Sequence, residues 1–329
     1  MGAIVDIDLP VKKVLVAGAG LMGCGIALVF AARGSSVLLT DADADSLARA
    51  KEVIRRHLIG LAEHGLESAT EIEAILNRIS VTADLEEGAA AADFVVEAVF
   101  ENLPLKQDLF GRLDAICGPE VILATNTSVM SITEIAARTA RPERVVGTHF
   151  WNPPHLIPLV EVVPGRHTSP ATMDKTFALL AALGKHPVRV KQDVPGFVGN
   201  RLQHALWREA VSIVERGIAE AEVVDEVVKF GFGARLPVLG PLENAELVGL
   251  DLTLAIHTYL FGHLESSPLP SPLLTCKVER GELGFKSGRG FREWDEEKKQ
   301  QVRENLEEYL YRWLRERQGQ TGGAGRNKG

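Results

Sequence analysis

The 329-residue chain is 46% hydrophobic and 24% charged. That is enough apolar surface for about two cores and too much for a disordered chain. With 36 Lys+Arg against 44 Asp+Glu the net charge is −8, so no general electrostatic pull toward nucleic acid or an anionic membrane exists, although a local basic pocket for a small anion stays open. Three cysteines (Cys24, Cys117, Cys276) are odd in number and far apart, which gives neither a disulfide framework nor zinc spacing and favours the cytoplasm.

Asp6 and Asp8 precede the first apolar run, which argues against a signal peptide. The uncharged stretch from Val14 to Ala32 is nearly long enough to span a bilayer. It contains Gly18, Gly20, Gly23 and Gly25, so it reads as strand, glycine turn and buried helix. Short Val-, Ile- or Leu-rich runs predict strands at 13–17, 37–41, 79–82, 94–98, 120–125 and 144–149, then at 157–163 and 186–190. Helical patterns fall between them at 21–33, 44–63, 105–116, 131–138 and 171–183. The segment 44–77 predicts two helices broken near Gly60 to Gly65. Such alternation is the pattern of a doubly wound, mostly parallel sheet.

After Asp193-Val194-Pro195-Gly196 the chain reads as helices only, at 197–216, 220–230, 241–262 and 294–317. Val302, Leu306, Leu310 and Trp313 share one helical face in the last of these. The expected fold class is therefore an α/β Rossmann domain at 1–192 followed by an all-α domain at 193–318, with a polar, Gly-rich and disordered tail at 319–329.

Gly18-Ala19-Gly20-Leu21-Met22-Gly23 follows a predicted strand and opens a predicted helix. Asp41 ends the next strand, 23 residues after Gly18. Together these form a dinucleotide fingerprint: glycines admit a pyrophosphate at a helix N-terminus, and the carboxylate meets the ribose hydroxyls. A carboxylate there repels a 2′-phosphate and Ala42 offers no cation, so the cofactor expected is NAD.

Ligands of open α/β sheets bind at the carboxyl ends of the strands. Glu97, Glu101, Asn102, Lys106, Asn126, Thr127, Ser128, His149 and Asn152 collect there. Glu161 lies inside the apolar run Leu159-Val160-Glu161-Val162-Val163, where a carboxylate must be buried with a partner. Each alone could be a satisfied structural group. His149 with Glu161 also fits a general base and the carboxylate that fixes its tautomer, as oxidation of an alcohol requires. The other eight histidines read as core or capping residues, His155 being nearest the site in sequence.

These motifs, with Glu97-Ala98-Val99-Phe100-Glu101-Asn102, His149-Phe150-Trp151-Asn152-Pro153, Asn200-Arg201 and the run Gly284 to Phe291, resemble the L-3-hydroxyacyl-CoA dehydrogenase family over about residues 12–294. The resemblance implies His149 as base, Glu161 as its partner, and Ser128 and Asn200 bonding the reacting oxygens. It implies Asn152 in the active site and Glu101, Lys106 and Asn126 around the cofactor. It also implies a homodimer through the helical domain and a 3-hydroxyacyl-CoA or a free hydroxy acid as substrate. The long segment Gly231 to Pro241, with Arg235, looks more like the branch acting on free hydroxy compounds, where Arg235 would meet a carboxylate. The alternative is an Arg facing solvent or paired with Glu243. A non-catalytic NAD-binding structural protein is a reading of another class, disfavoured by the joint presence of His149, Glu161, Ser128 and Asn200.

Overall fold

The computed structural model describes residues 11–323, so Asp6, Asp8 and the tail from 324 lie outside the described residues. The chain divides into two units. The first holds residues up to Asn200 and returns from Leu306 onward; the second is Arg201–Asn305.

The first unit is built on an eight-stranded sheet. Its strands are β1 (Lys13–Ala17), β2 (Ser36–Thr40), β3 (Ile79–Thr82), β4 (Phe94–Glu97), β5 (Ile122–Thr125), β6 (Val145–Phe150), β7 (Leu159–Pro164) and β8 (His186–Arg189). Their spatial order is β3-β2-β1-β4-β5-β6-β7-β8. All neighbouring pairs are parallel except β6 and β7. Every run expected to be a strand is one. Helices α1 (Leu21–Ala31), α2 (Ala44–Glu63), α3 (Ile72–Asn77), α4 (Leu85–Ala91), α5 (Leu103–Ile116), α6 (Ile132–Ile135) and α7 (Pro170–Ala182) fill the connections. Two apolar clusters surround the sheet, one including Val14, Val16 and Phe30, the other Leu15, Val95 and Phe110. Alternate residues of β1 enter different clusters, as a strand with both faces buried must.

Helix α2 runs to Glu63 and the chain turns at Gly65 before α3, so the break falls within the Gly60 to Gly65 interval expected. Gly60 itself lies inside the helix and serves a close approach, because a Cβ there would run into the Tyr311 hydroxyl. Helix α4 was not anticipated. Asp84 caps it by accepting the Glu86 and Glu87 amides, and its Ala-rich sequence carries little periodicity.

The second unit is helical. It contains α8 (Gly199–Glu215, whose first two residues belong to the first unit), α9 (Ala221–Phe230), α10 (Pro241–Val248), α11 (Leu250–Leu260) and α12 (Pro272–Glu279). The single helix expected at 241–262 is two, because Gly249 adopts φ +104° between them. Helix α12 was also missed; Ser271 caps it by accepting the Leu274 amide.

Helix α13 (Glu296–Gly323) leaves the second unit and enters the first. It continues through Gly323, past the Gly319 at which disorder was expected. Leu310 and Tyr311 are buried in the first unit with Leu314 packed beside them, whereas Val302 and Leu306 are exposed. The Tyr311 ring stacks on His64 at 4.1 Å, and His64 Nε2 lies 2.9 Å from Glu308. The buried stripe is thus offset from the one expected. Among the described residues no helix is long and apolar enough to cross a membrane, and no cluster of three or more His, Cys, Asp or Glu could hold a metal ion.

Candidate active site

Strand β1 passes into α1 through Gly18-Ala19-Gly20. The Gly18 amide donates to the Thr40 carbonyl (2.7 Å), and a Cβ on Gly18 would stand 2.5 Å from the Ala98 carbonyl oxygen. A Cβ on Gly23 would overlap the Gly18 carbonyl. Turn, helix and neighbouring strand end are therefore packed as closely as backbone allows. Gly20 differs: a Cβ there meets nothing within 4 Å. No side chain caps α1 and no acid lies in its first turn, so its positive N-terminal end is left for an external anion. Leu21 is exposed and Met22 half-buried beside it.

Asp41 follows β2 directly. Its carboxylate accepts the Ala19 amide (2.7 Å) and the Asp43 amide (2.9 Å), which braces the glycine turn from the side. The side chain is half-buried, leaving room for ribose hydroxyls. The uncapped helix, the Gly20 gap and this carboxylate fit a dinucleotide with unmodified ribose.

The antiparallel pairing of β6 with β7 sets His149 opposite Glu161. Directly opposed residues point to one face, and His149 Nδ1 lies 2.8 Å from Glu161 Oε2. Both are buried, at 5% and 1% exposure. The other Glu161 oxygen accepts the Val198 and Gly199 amides, each at 3.0 Å. Burial pushes the Glu161 carboxyl up, but its bonds to His149 and to these two amides outweigh burial and hold it below the usual carboxylate range. Trp151 and Phe197 flank the imidazole, with ring centroids 5.3 and 5.8 Å away.

The loop after β5 is fixed from several sides. Asn126 is buried and its Oδ1 accepts the Phe150 amide (2.8 Å), which ties this loop to the His149 strand. Asn200 Nδ2 donates to the Ser128 carbonyl (2.8 Å). Asp193 accepts the Ser131 hydroxyl (2.6 Å) and the Ile132 and Thr133 amides (3.0 and 2.8 Å). Glu101 accepts the Thr127 hydroxyl and the Ser128 amide. Lys106 is 1% exposed, its ammonium held between Glu97 (2.6 Å) and Glu101 (3.2 Å).

His149, Glu161, Ser128, Asn200, Asn126, Glu101 and Lys106 thus belong to one unit and one connected set of contacts, and Asn152 lies exposed in the turn after β6. Arg235 belongs to the second unit. It sits exposed on a short 3-10 turn of the second unit, Phe232–Arg235. Glu243, the alternative partner, instead accepts the Gly240 amide at 2.8 Å. His155 is a core histidine: it is buried, stacks on His57 at 4.1 Å, and burial pushes it down to about 3. Sequence reasoning missed Asp193 as a loop brace and the Glu97–Lys106 pair. A Glu closing the run Phe94-Val95-Val96-Glu97 carried the same signal as Glu161.

A doubly wound sheet with this glycine turn, the Asp41 carboxylate and a buried His–carboxylate pair at the sheet's ligand end defines an NAD-dependent dehydrogenase. The sequence models of the 3-hydroxyacyl-CoA dehydrogenase NAD binding domain and C-terminal domain match residues 13–194 and 196–294. The chain therefore belongs to the 3-hydroxyacyl-CoA dehydrogenase family. It is 43% identical over 289 residues to a probable 3-hydroxybutyryl-CoA dehydrogenase of Bacillus subtilis, covering 88% of this chain and 99% of the relative. Among solved structures it is similar to 5-formyl-3-hydroxy-2-methylpyridine 4-carboxylic acid 5-dehydrogenase, described as an NAD+-dependent dismutase. That likeness has TM-score 0.86 at 33% identity and covers 93% of this chain and 98% of the other. It is also similar to (S)-3-hydroxybutyryl-CoA dehydrogenase from Ralstonia eutropha, with TM-score 0.72 at 35% identity, covering 87% and 100%.

Proposed function

We propose that this enzyme oxidises the 3-hydroxyl of a short L-3-hydroxyacyl-CoA to the 3-oxo thioester with NAD. The observation that carries the reading is the His149–Glu161 pair. Glu161 is anchored by two backbone amides and engages Nδ1. That fixes the proton on Nδ1 and leaves Nε2 as a base for the substrate hydroxyl. As the proton arrives, the carboxylate stabilises the imidazolium. Ser128 and Asn200 hydrogen-bond the reacting oxygens. The α1 N-terminus takes the pyrophosphate, Asp41 the ribose, and Glu101 and Asn126 lie around the cofactor, which when bound supplies the hydride acceptor; buried Lys106 acts there through Glu101, and Asn152 faces the substrate. Support for a CoA thioester is the 43% identity to a probable 3-hydroxybutyryl-CoA dehydrogenase. Exposed Phe230, Leu242, Leu254 and Tyr259 in the helical unit support self-association through that unit as a homodimer.

A second reading, a free hydroxy acid as substrate, draws on the TM-score of 0.86 to an enzyme acting on a pyridine carboxylate and on exposed Arg235. A buried carboxylate needs a cation, and an Arg fork meets it with two hydrogen bonds. The test is NADH formation from 3-hydroxybutyrate and from its CoA thioester, side by side. Higher kcat/KM for the thioester supports the first reading. Higher kcat/KM for the free acid overturns it, and Arg235→Met should then raise KM for the acid by about 1.5–3 kcal/mol.

A further inference from the structure

Glu97 closes β4 with 0% exposure. Three donors surround its carboxylate: the Lys106 ammonium (2.6 Å), the Thr125 hydroxyl (2.6 Å) and the Val99 amide (2.7 Å). From there the contacts close into a ring. Thr125 Oγ1 accepts the Thr127 amide (3.2 Å), the Thr127 hydroxyl donates to Glu101, and Glu101 meets the same Lys106 ammonium at 3.2 Å. Glu101 also accepts the Ser128 and Val129 amides, at 3.0 and 3.4 Å. One buried cation therefore serves two carboxylates, and the second carboxylate holds the backbone of Ser128.

We infer that Glu97 is a positioning residue for the reaction, acting through Lys106, Glu101 and Thr125 to fix the loop that presents Ser128. The inference rests on the role proposed above for Ser128. Glu97 and Lys106 form a fully buried ion pair, a costly way merely to fill a core, while Glu101 reaches the same ammonium from a partly exposed position. What the arrangement provides is direction. Lys106, drawn between Glu97 and Glu101, cannot collapse onto Glu101 alone, so Glu101 keeps an oxygen for the Thr127 hydroxyl and the Ser128 amide. Glu97 accepts from every side. Thr125 Oγ1 accepts the Thr127 amide while its hydroxyl donates to Glu97, so it links the two sides of the ring. An amide in place of the carboxylate would turn an N–H₂ toward a donor and open the ring.

The test uses the full chain with NAD and 3-hydroxybutyryl-CoA, in wild-type and Ser128→Ala backgrounds. Glu97→Gln should lower kcat about 10- to 100-fold, the scale of a small misplacement of a reacting group, with KM for NAD moving less than about threefold. In the Ser128→Ala background its cost should shrink to below about threefold, because there is no hydroxyl left to place. Glu97→Asp should recover part of kcat. Thr125→Val, which keeps every charge and opens the ring at the hydroxyl, should show the same background dependence and carries the comparison if Glu97→Gln does not fold. An equal loss in both backgrounds, or a lowered melting temperature with unchanged kcat, overturns the inference and leaves the Ser128 reading intact. A Ser128→Ala enzyme with wild-type kcat overturns the Ser128 reading, and the inference with it.

Discussion

Replacing Glu161 with Gln changes one atom, and the structure says which way the new side chain must turn. One Glu161 oxygen accepts the Val198 and Gly199 amides, and the other meets His149 Nδ1. If the Gln N–H₂ faced the two amides, buried donors would oppose a donor, at about 1–3 kcal/mol for each bond left unmade. The Gln oxygen therefore stays with the amides and the N–H₂ faces His149. Nδ1 must then accept, so the ring proton moves to Nε2, the nitrogen needed as base. The fold and the NADH site are untouched, yet the base is occupied. Turnover should fall by about 10²–10⁴, the range attributable to a positioned general base. The assay is steady-state NADH formation, with ¹⁵N NMR of the imidazole reporting the tautomer and NADH titration confirming that the cofactor still binds. A Glu161→Gln enzyme retaining more than about a third of kcat would falsify this assignment. So would one that loses kcat while the proton stays on Nδ1.

Three further outcomes follow from the same coordinates. Wild type should prefer NAD strongly over NADP, and Asp41→Ser should erode that preference in kcat/KM; equal use of both cofactors by wild type would remove Asp41 from the ribose site. Gly20→Ala should fold normally but bind NADH more weakly, whereas Gly23→Ala should impair folding itself, since only the second Cβ meets backbone; circular dichroism and NADH titration separate the two. His64 is held above the usual imidazole range by the Gly60 carbonyl and the Glu308 carboxylate. A raised folded-state pKa adds stability that is complete below the unfolded value, about 6.5, and lost as pH rises through the folded one. Glu308→Gln should therefore lower the melting temperature more at a pH of about 5.5 than at about 8.5, and a pH-independent difference would rule the contact out as a charged one.

The sheet was legible because its central strands β4, β5 and β6 are buried on both faces and read as continuous apolar runs between helical patterns. The His149–Glu161 pair was legible because a carboxylate inside Leu159-Val160-Glu161-Val162-Val163 has no cheap alternative to a partner, and the antiparallel β6–β7 pairing then sets the two side chains opposite each other. What escaped was set by three-dimensional proximity. The close approach of Tyr311 to Gly60 joins residues 251 positions apart, which no local signal announces. Helices α4 and α12 are short, and their caps, Asp84 and Ser271, were the readable marks. Lys106 was expected around the cofactor from the family resemblance alone. Its burial between Glu97 and Glu101 depends on how α5 returns across β4.

The most direct test is NADH formation by the intact enzyme given NAD and L-3-hydroxybutyryl-CoA, measured beside His149→Ala at matched cofactor saturation. Wild type should turn over, and His149→Ala should lose about 10²-fold or more in kcat with NADH affinity within about threefold of wild type. Wild-type and His149→Ala enzymes with comparable kcat would contradict His149 as the base. No NADH from this thioester, its free acid or any other 3-hydroxy compound tried would contradict the proposed reaction.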